Sequence, residues 1–320
     1  TWAVFCEACI HGVTAALVNT AQTGKVLVHS INLVKPIALI AGDECCAAVD
    51  EVRNELDLPA ERFHWFADQA TRQNAGTAPQ GFINLASVID EFPTFNPATT
   101  HSVKGKDGLF YIYTSGTTGL PKAVIFTNSR WTLAYGTYGH VLNLNEQDVM
   151  YVTLPLYHAT GTVVCWCGVI AGAATLALRR KFSTSSFWKD VKKFDASAIG
   201  YVGELCRYLM DAPPSELEKG HRVKKMIGNG MRPNIWDKFK ERFGVDEVLE
   251  LYASSEGNVG FSNVFNFDNT VGFSPTPYAI IQFDKEKNEP IRDQKGWCMK
   301  VKKGEVGLLV GKITRRSPFD

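Results

Sequence analysis

Neither sign of charge dominates this chain: 34 lysines and arginines stand against 33 aspartates and glutamates, a formal net charge of +1. That balance argues against nucleic-acid binding driven by a general positive field, while local basic clusters remain open. Repeats and low-complexity tracts are missing, and with 45% hydrophobic and 21% charged residues the composition excludes a disordered chain. Metal-ligand spacing is missing too. The eight cysteines, at positions 6, 9, 45, 46, 165, 167, 206 and 298, are scattered. Cys6-x-x-Cys9 and Cys165-x-Cys167 sit in apolar surroundings without a second pair, so the reading is buried, reduced thiols of a cytosolic protein rather than zinc ligands. No charged-apolar-cleavage pattern opens the chain, so no secretory signal is visible. The uncharged run Gly161–Leu178 spans 18 residues, the lower limit for a membrane span, but Ala171-Gly172-Ala173 breaks it into a short helix and a strand. Arg179, Arg180 and Lys181 follow and read as a solvated strand end, with lipid-headgroup contact as the alternative.

What is present is an alternation of short apolar runs with amphipathic segments. Residues 1–18 read as a buried helix and then a strand, Gly24–Ile31 as a helix, Pro36–Ile40 as a buried strand and Glu44–Leu56 as a helix. Residues 67–82 form a surface excursion, and 93–107 a connector. A second series predicts strands near 149–153, 173–178 and 197–202 and helices near 160–171 and 183–193. Such alternation defines an α/β protein built on parallel sheets, and beyond 256 the composition turns β-rich. The boundaries drawn are 1–104 for a first α/β subdomain, 105–255 for a second and 256–320 for the β-rich portion. Thr1 in place of Met and an ending without a terminating element read as a fragment cut at both ends.

The densest chemical signal is Tyr113-Thr-Ser-Gly-Thr-Thr-Gly-Leu-Pro-Lys122. Gly116 and Gly119 allow backbone angles that turn successive N–H groups toward one anion. Thr114, Ser115, Thr117 and Thr118 add hydroxyls that donate to phosphate or face a magnesium ion, and Lys122 adds a point charge. The strand Gly108–Tyr113 leads in, and Ala123–Phe126 leads out as a strand or a helix entry. A Walker-type loop requires Gly-Lys followed by Ser or Thr, and Pro121-Lys122-Ala123 does not comply.

Three other places carry chemistry. Glu256 follows the apolar strand Val248–Tyr252, where a carboxylate either ligates magnesium beside bound phosphates or starts a helix after Ser254 and Ser255. Gly228-Asn229-Gly230 follows the strand Val223–Ile227; it is either a plain turn or a place where backbone approaches a flat ring and Asn229 reads its edge. His158, after Pro155-Leu-Tyr, is either structural or part of a site.

Together these segments resemble the acyl-adenylate-forming enzymes, a family that includes acyl-CoA synthetases, luciferases and the adenylation domains of peptide synthetases. The loop 113–122 looks like its signature, Leu154-Pro-Leu-Tyr-His-Ala-Thr-Gly161 its second core motif, Gly228-Asn-Gly-Met-Arg232 its adenine-side turn and Tyr252-Ala-Ser-Ser-Glu-Gly-Asn258 its Tyr-Gly-x-Thr-Glu motif. Arg180–Ser183, Phe187-Trp188 and Tyr201–Tyr208 are similar to the fatty acid transport protein branch, the long-chain and very-long-chain acyl-CoA synthetases. The likeness runs from about Ala15 to Ile313.

The resemblance implies the N-terminal domain of such an enzyme. A carboxylate would attack the α-phosphorus of ATP to give acyl-AMP, and coenzyme A would then take the acyl group, with Mg2+ on the phosphates. It implies that Tyr113–Gly119 and Lys122 hold the phosphates, Thr114 and Glu256 the metal, Gly228–Gly230 and Tyr252 the adenine, and Ser255 the α-phosphate. His158 would lie by the reacting carboxylate and the thiol entry, while Tyr201 and Gly203 would shape the acyl pocket. Thr114, Lys122, His158 and Glu256 are thus the expected catalytic set. An apolar tunnel would favour long chains by about 0.8 kcal/mol per buried methylene. Two departures stand out: Ala253 replaces the usual glycine and Ser255 the usual threonine. The family's ribose-binding aspartate, hinge and C-terminal lysine domain have no counterpart here; their place would lie after Asp320. The chain alone is therefore expected to bind ATP weakly and to lack complete synthetase activity. Expected partners are ATP, a long-chain fatty acid and coenzyme A, without nucleic acid. A cytoplasmic setting is expected, with peripheral membrane contact left open. Competing readings are an aryl-CoA ligase, an amino-acid adenylation domain or a catalytically silent nucleotide-binding protein.

Overall fold

The longer strands are mostly apolar runs of four to seven residues, and helices between them bury one apolar stripe each. The computed structural model describes residues 12–67, 76–88, 91, 94–115 and 119–314. The predicted opening helix with Cys6 and Cys9, much of the 67–82 excursion, and Gly116, Thr117 and Thr118 lie outside these. Two compact units are formed: Thr1–Leu133 with Leu156–His158, and Ala134–Pro155 with Ala159–Asp320.

The first unit has two sheets. Strand β1 (Ala15–Leu17) and two strands further along the chain make the first sheet; β2 (Leu39–Ala41), β3 (Phe63–Trp65) and β4 (Ile83–Asn84) make the second, all parallel. Helices α1 (Gly24–Leu33) and α2 (Cys46–Val52) contribute Leu27, Ile31, Val49 and Val52 to the core over Phe63 and Trp65. The Arg53 guanidinium lies 4.2 and 4.4 Å from the ring centres of Phe63 and Phe82. The predicted buried strand Pro36–Ile40 is corrected: pairing starts only at Leu39, and Ile37 is 74% exposed. An edge position explains it, because β2 has a neighbour on one side alone. The other sheet joins β1, parallel, to β5 (Gly108–Thr114), which pairs antiparallel with β6 (Lys122–Thr127).

The second unit is organised by a six-stranded sheet. β7 (Val149–Val152), β8 (Thr175–Leu178), β9 (Ala198–Val202), β10 (Lys225–Asn229), β11 (Glu247–Tyr252) and β12 (Phe261–Ser262) lie in the order β12-β11-β10-β9-β7-β8. All pairs are parallel except β11–β12. The chain leaves β7 for β8 on one side and then places β9 on the other, so the order reverses between β7 and β9. Ligands of open α/β sheets bind at such reversals, beyond the carboxyl ends of the strands. Helices α3 (Thr184–Lys193), α4 (Gly203–Asp211) and α5 (Pro233–Phe243) bury Phe187, Val191, Leu205, Leu209, Trp236 and Phe239 on the sheet. Pro233 opens α5 with its φ preset, and Gly244 ends it in the left-handed conformation at φ 65°.

The predicted helix near 160–171 begins as a π-helix, Thr160–Trp166, in which every residue from Gly161 to Trp166 is buried. A Cβ on Gly161 would stand 2.7 Å from the Pro155 carbonyl oxygen, so glycine admits this close packing. Gly228 and Asn229, read as a turn, belong instead to β10, and the chain turns at Gly230 with φ 84°. Beyond β12, two antiparallel pairs complete the unit: β13 (Tyr278–Ile281) with a later strand β16 (Leu308–Gly311), and β14 (Phe283–Asp284) with β15 (Glu289–Pro290). Among the described residues no helix is long and apolar enough to cross a membrane.

Two histidines inside this framework are held below the ordinary imidazole pKa, chiefly by desolvation. His64 keeps a buried Nδ1 without a hydrogen-bond partner, and His221 stacks on Trp188 at 4.7 Å while its Nδ1 accepts from the Val223 N–H. Protonation of that Nδ1 would break the bond. Between the folded pKa and the unfolded value of about 6.5 the unfolded state binds more protons, so stability is full above that value and is lost as pH falls. Thermal melts from pH 7.5 down to pH 5 are expected to show a falling Tm, and His221→Gln, which does not titrate, a shallower fall.

Candidate active site

The sequence-predicted residues fall into two groups, one in each unit, and each is built by its own sheet. In the first unit the phosphate-loop segment joins β5 to β6 as a hairpin: Thr114 and Lys122 face each other in register at its mouth. Lys122 and Ser115 are exposed and Thr114 is half-buried. Gly119 has φ 84° and open space around it, the conformation a side chain would resist. Both shoulders are tied to α1. The Tyr113 hydroxyl donates to the Ser30 carbonyl at 2.6 Å, and His29 Nε2 donates to the Pro121 carbonyl at 2.9 Å. Tyr113 therefore uses its hydroxyl to anchor the strand, and burial raises that phenol's pKa well above the ordinary value. A cavity of about 590 Å3, lined in part by His29, Leu33, Tyr111, Leu120 and Lys122, opens beside the hairpin. His158, also in this unit, keeps a solvent-facing edge and packs on Tyr157 with ring centres 4.7 Å apart. Desolvation lowers its pKa, which favours the neutral ring as a proton acceptor.

In the second unit the residues gather along the carboxyl edge of β9, β10 and β11. Tyr201, Gly228 and Glu250 form one row across the three strands, being register partners in turn. A Cβ on Gly228 would stand 2.0 Å from the Tyr201 carbonyl oxygen and 2.8 Å from its ring. A Cβ on Gly203 would stand 1.8 Å from the Gly230 carbonyl oxygen. These two glycines let the β9 end and the 228–232 turn close on each other. Asn229 Oδ1 accepts from Thr160 Oγ1 at 3.1 Å, joining the π-helix to the turn. Arg232 pairs with Glu204 of α4 at 3.1 Å.

Beyond β11 the chain enters the polar turn holding Ser255 and Glu256, both half-buried, and no helix starts there. Tyr252 ends the strand 50% exposed, its ring presented outward beside Phe261. Ala253, where the family's motif has glycine, is not among the described residues with positive φ, so its side chain meets no left-handed strain. The next residues pack on β16: Asn258 Nδ2 donates to the Lys312 carbonyl.

Sequence reading passed over Glu250, the carboxylate at the centre of this edge. It is 4% exposed and accepts from the Tyr201 hydroxyl, the Gly230 N–H and, at 3.1 Å, the Met231 N–H. Burial raises both the Glu250 carboxyl and the Tyr201 phenol, while the three donors favour the ionised carboxylate. An acid inside the run Val248-Leu-Glu-Leu-Tyr252 was the available signal, because such a residue must find partners indoors.

Comparison with known proteins places this geometry in a class. Residues 1–305 match the family model described as AMP-binding enzyme, and the chain belongs to that family. It is 41% identical over 310 residues to the medium/long-chain-fatty-acid–CoA ligase FadD6 of Mycobacterium tuberculosis, covering 97% of this chain and 49% of that protein. It is 35% identical over 322 residues to the human long-chain fatty acid transport protein 6, covering 96% of this chain and 49% of the other. The chain thus spans about half the length of the curated relatives it matches, and these relatives agree with the branch resemblance. Among solved structures, the anthranilate CoA ligase AuaEII in complex with anthranoyl-AMP superposes with a TM-score of 0.74 at 18% identity, covering 93% of this chain and 55% of that one. The inhibitor-bound N-terminal domain of FACL13 from Mycobacterium tuberculosis gives 0.67 at 18% identity, covering 90% of this chain and 67% of that one. At such identities the match shows the fold alone.

The glycine contacts carry a test. Gly203→Ala and Gly228→Ala each drive a methyl into backbone rather than a movable side chain, so each is expected to destabilise by about 1–3 kcal/mol or more. Denaturant titration measures the loss, with Gly136→Ala as a comparison at an open position without positive φ.

Proposed function

We propose that this chain supplies the nucleotide- and carboxylate-binding part of a ligase that activates a long-chain fatty acid with ATP and passes it to coenzyme A. The observation that carries the reading is the hairpin at 114–122. A hydroxyl- and glycine-rich loop, closed by Thr114 opposite Lys122, stands in a chain that belongs to the AMP-binding enzymes. The fatty-acyl assignment rests on the names of the relatives at 35–41% identity, a fatty acid–CoA ligase and a long-chain fatty acid transport protein.

Adenylation brings a carboxylate onto a phosphate, anion against anion, so the site must neutralise charge and fix an in-line approach. Lys122, the hydroxyls of Thr114, Ser115, Thr117 and Thr118, and the backbone of Gly116 and Gly119 hold the phosphates. Gly228, Asn229 and Gly230 meet the edge of adenine, Tyr252 its face, and Ser255 the α-phosphate. His158, its pKa lowered by desolvation, lies beside the acyl carboxylate, to which a ring N–H can donate. Gly203 bounds the acyl end from the β9 side, while Tyr201, expected there too, is fully buried with its hydroxyl on Glu250 and supports that edge from within. Glu256 and Thr114 offer the hard oxygen donors that Mg2+ takes alongside phosphate and water. When bound, the ion offsets phosphate charge.

Carboxylate-dependent ATP–pyrophosphate exchange by the full-length protein tests the reading, with long-chain fatty acids expected to outrank aromatic and amino acids. Lys122→Ala and Glu256→Gln are each expected to lower exchange by about 10²–10³-fold while leaving the thermal melt in place. Exchange that persists in both variants, or a preference for an aromatic acid, overturns it.

A further inference from the structure

The row Tyr201–Gly228–Glu250 has an unusual composition for the interior of a parallel sheet. Two large polar side chains lie in line across three strands, and the middle residue has no side chain. The gap at Gly228 is what lets the Tyr201 hydroxyl reach Glu250; a Cβ there would strike the tyrosine ring and carbonyl. Tyr201 is fully buried and Glu250 nearly so. The remaining acceptor capacity of Glu250 is spent on the N–H groups of Gly230 and Met231, one on each oxygen. Those N–H groups belong to the turn that carries Asn229. Gly230, in the left-handed conformation, would otherwise have the freest backbone of that turn.

We propose that Glu250 and Tyr201 are positioning residues for the nucleotide base: joined across Gly228, they lock Gly230 and Met231 so that the turn presents one fixed set of donors and acceptors. The inference rests on the reading that this turn meets the base. It differs from a packing role because the carboxylate's contacts converge on the turn backbone rather than on a helix or loop elsewhere. Three donors on two oxygens also require a carboxylate. An amide would offer one acceptor oxygen and set an NH2 group against an N–H group.

The test is calorimetric titration of the full-length protein with ATP, GTP and inorganic tripolyphosphate, for the wild type, Glu250→Gln and Tyr201→Phe. The wild type is expected to favour ATP over GTP and over tripolyphosphate. In Glu250→Gln, ATP affinity is expected to fall about tenfold or more and the preference for adenine to shrink, with tripolyphosphate affinity unchanged. Tyr201→Phe removes one donor, leaves both N–H contacts and should lie between; it carries the test alone if Glu250→Gln does not fold. A folded variant of either kind with wild-type ATP affinity and base preference overturns the inference. Parallel loss of ATP and tripolyphosphate binding overturns it too, because that marks general destabilisation. A wild type that binds ATP no better than tripolyphosphate removes the base-binding reading of the turn, and this inference with it.

Discussion

A carboxylate placed inside an apolar sheet costs several kcal/mol unless hydrogen-bond donors surround it, and Glu250 meets that demand by drawing on two neighbouring strands at once. Its partners are a side chain from β9 and the backbone that leaves β10. The carboxyl edge of the sheet is therefore tied across its middle. The close approach of Gly203 to Gly230, the seating of the 228–232 turn and the bond from Thr160 to Asn229 all lie around this knot. A polar core of this kind specifies geometry more than it adds stability, since an apolar substitute could fill the volume but not fix the backbone.

Much of this was legible in the residues. The apolar runs at 108–114, 149–152, 198–202 and 247–252 appear as strands because each is short, flanked by turn residues and buried on both faces. The chemistry-bearing segments stand out because glycine, hydroxyl and lysine crowd into few positions. What the sequence could not supply was the consequence of neighbours. Pro36–Ile40 is apolar enough for a core strand, yet its place at a sheet edge leaves Ile37 in solvent. Thr160–Trp166 has ordinary helical composition, and only the structure shows that it winds as a π-helix with Gly161 packed close to the Pro155 carbonyl. Gly228 looks like a turn residue, and its real constraint is a tyrosine on the next strand. Glu250 hid in plain view for a related reason: the periodicity that marks a strand says nothing about which strand stands beside it.

The two units hold their chemistry-bearing segments by different means. The hairpin of the first unit is fastened at both shoulders, where His29 donates to the Pro121 carbonyl and Tyr113 to the Ser30 carbonyl. The second unit offers a rigid edge, with aromatic and amide groups fixed on strand ends.

The two-residue antiparallel strand β12 at one border of the six-stranded sheet has a counterpart at the other border, where four-residue β8 runs into Arg179, Arg180 and Lys181. An open parallel sheet presents rows of unpaired amide and carbonyl groups at both margins, which invite strands from other chains. Here one margin is too short to template a partner and reverses direction, while the other is brief and ends in positive charge, with Arg179 tied to Asp190. The sheet thus keeps its carboxyl edge open at the strand ends while both of its sides discourage intermolecular strand addition.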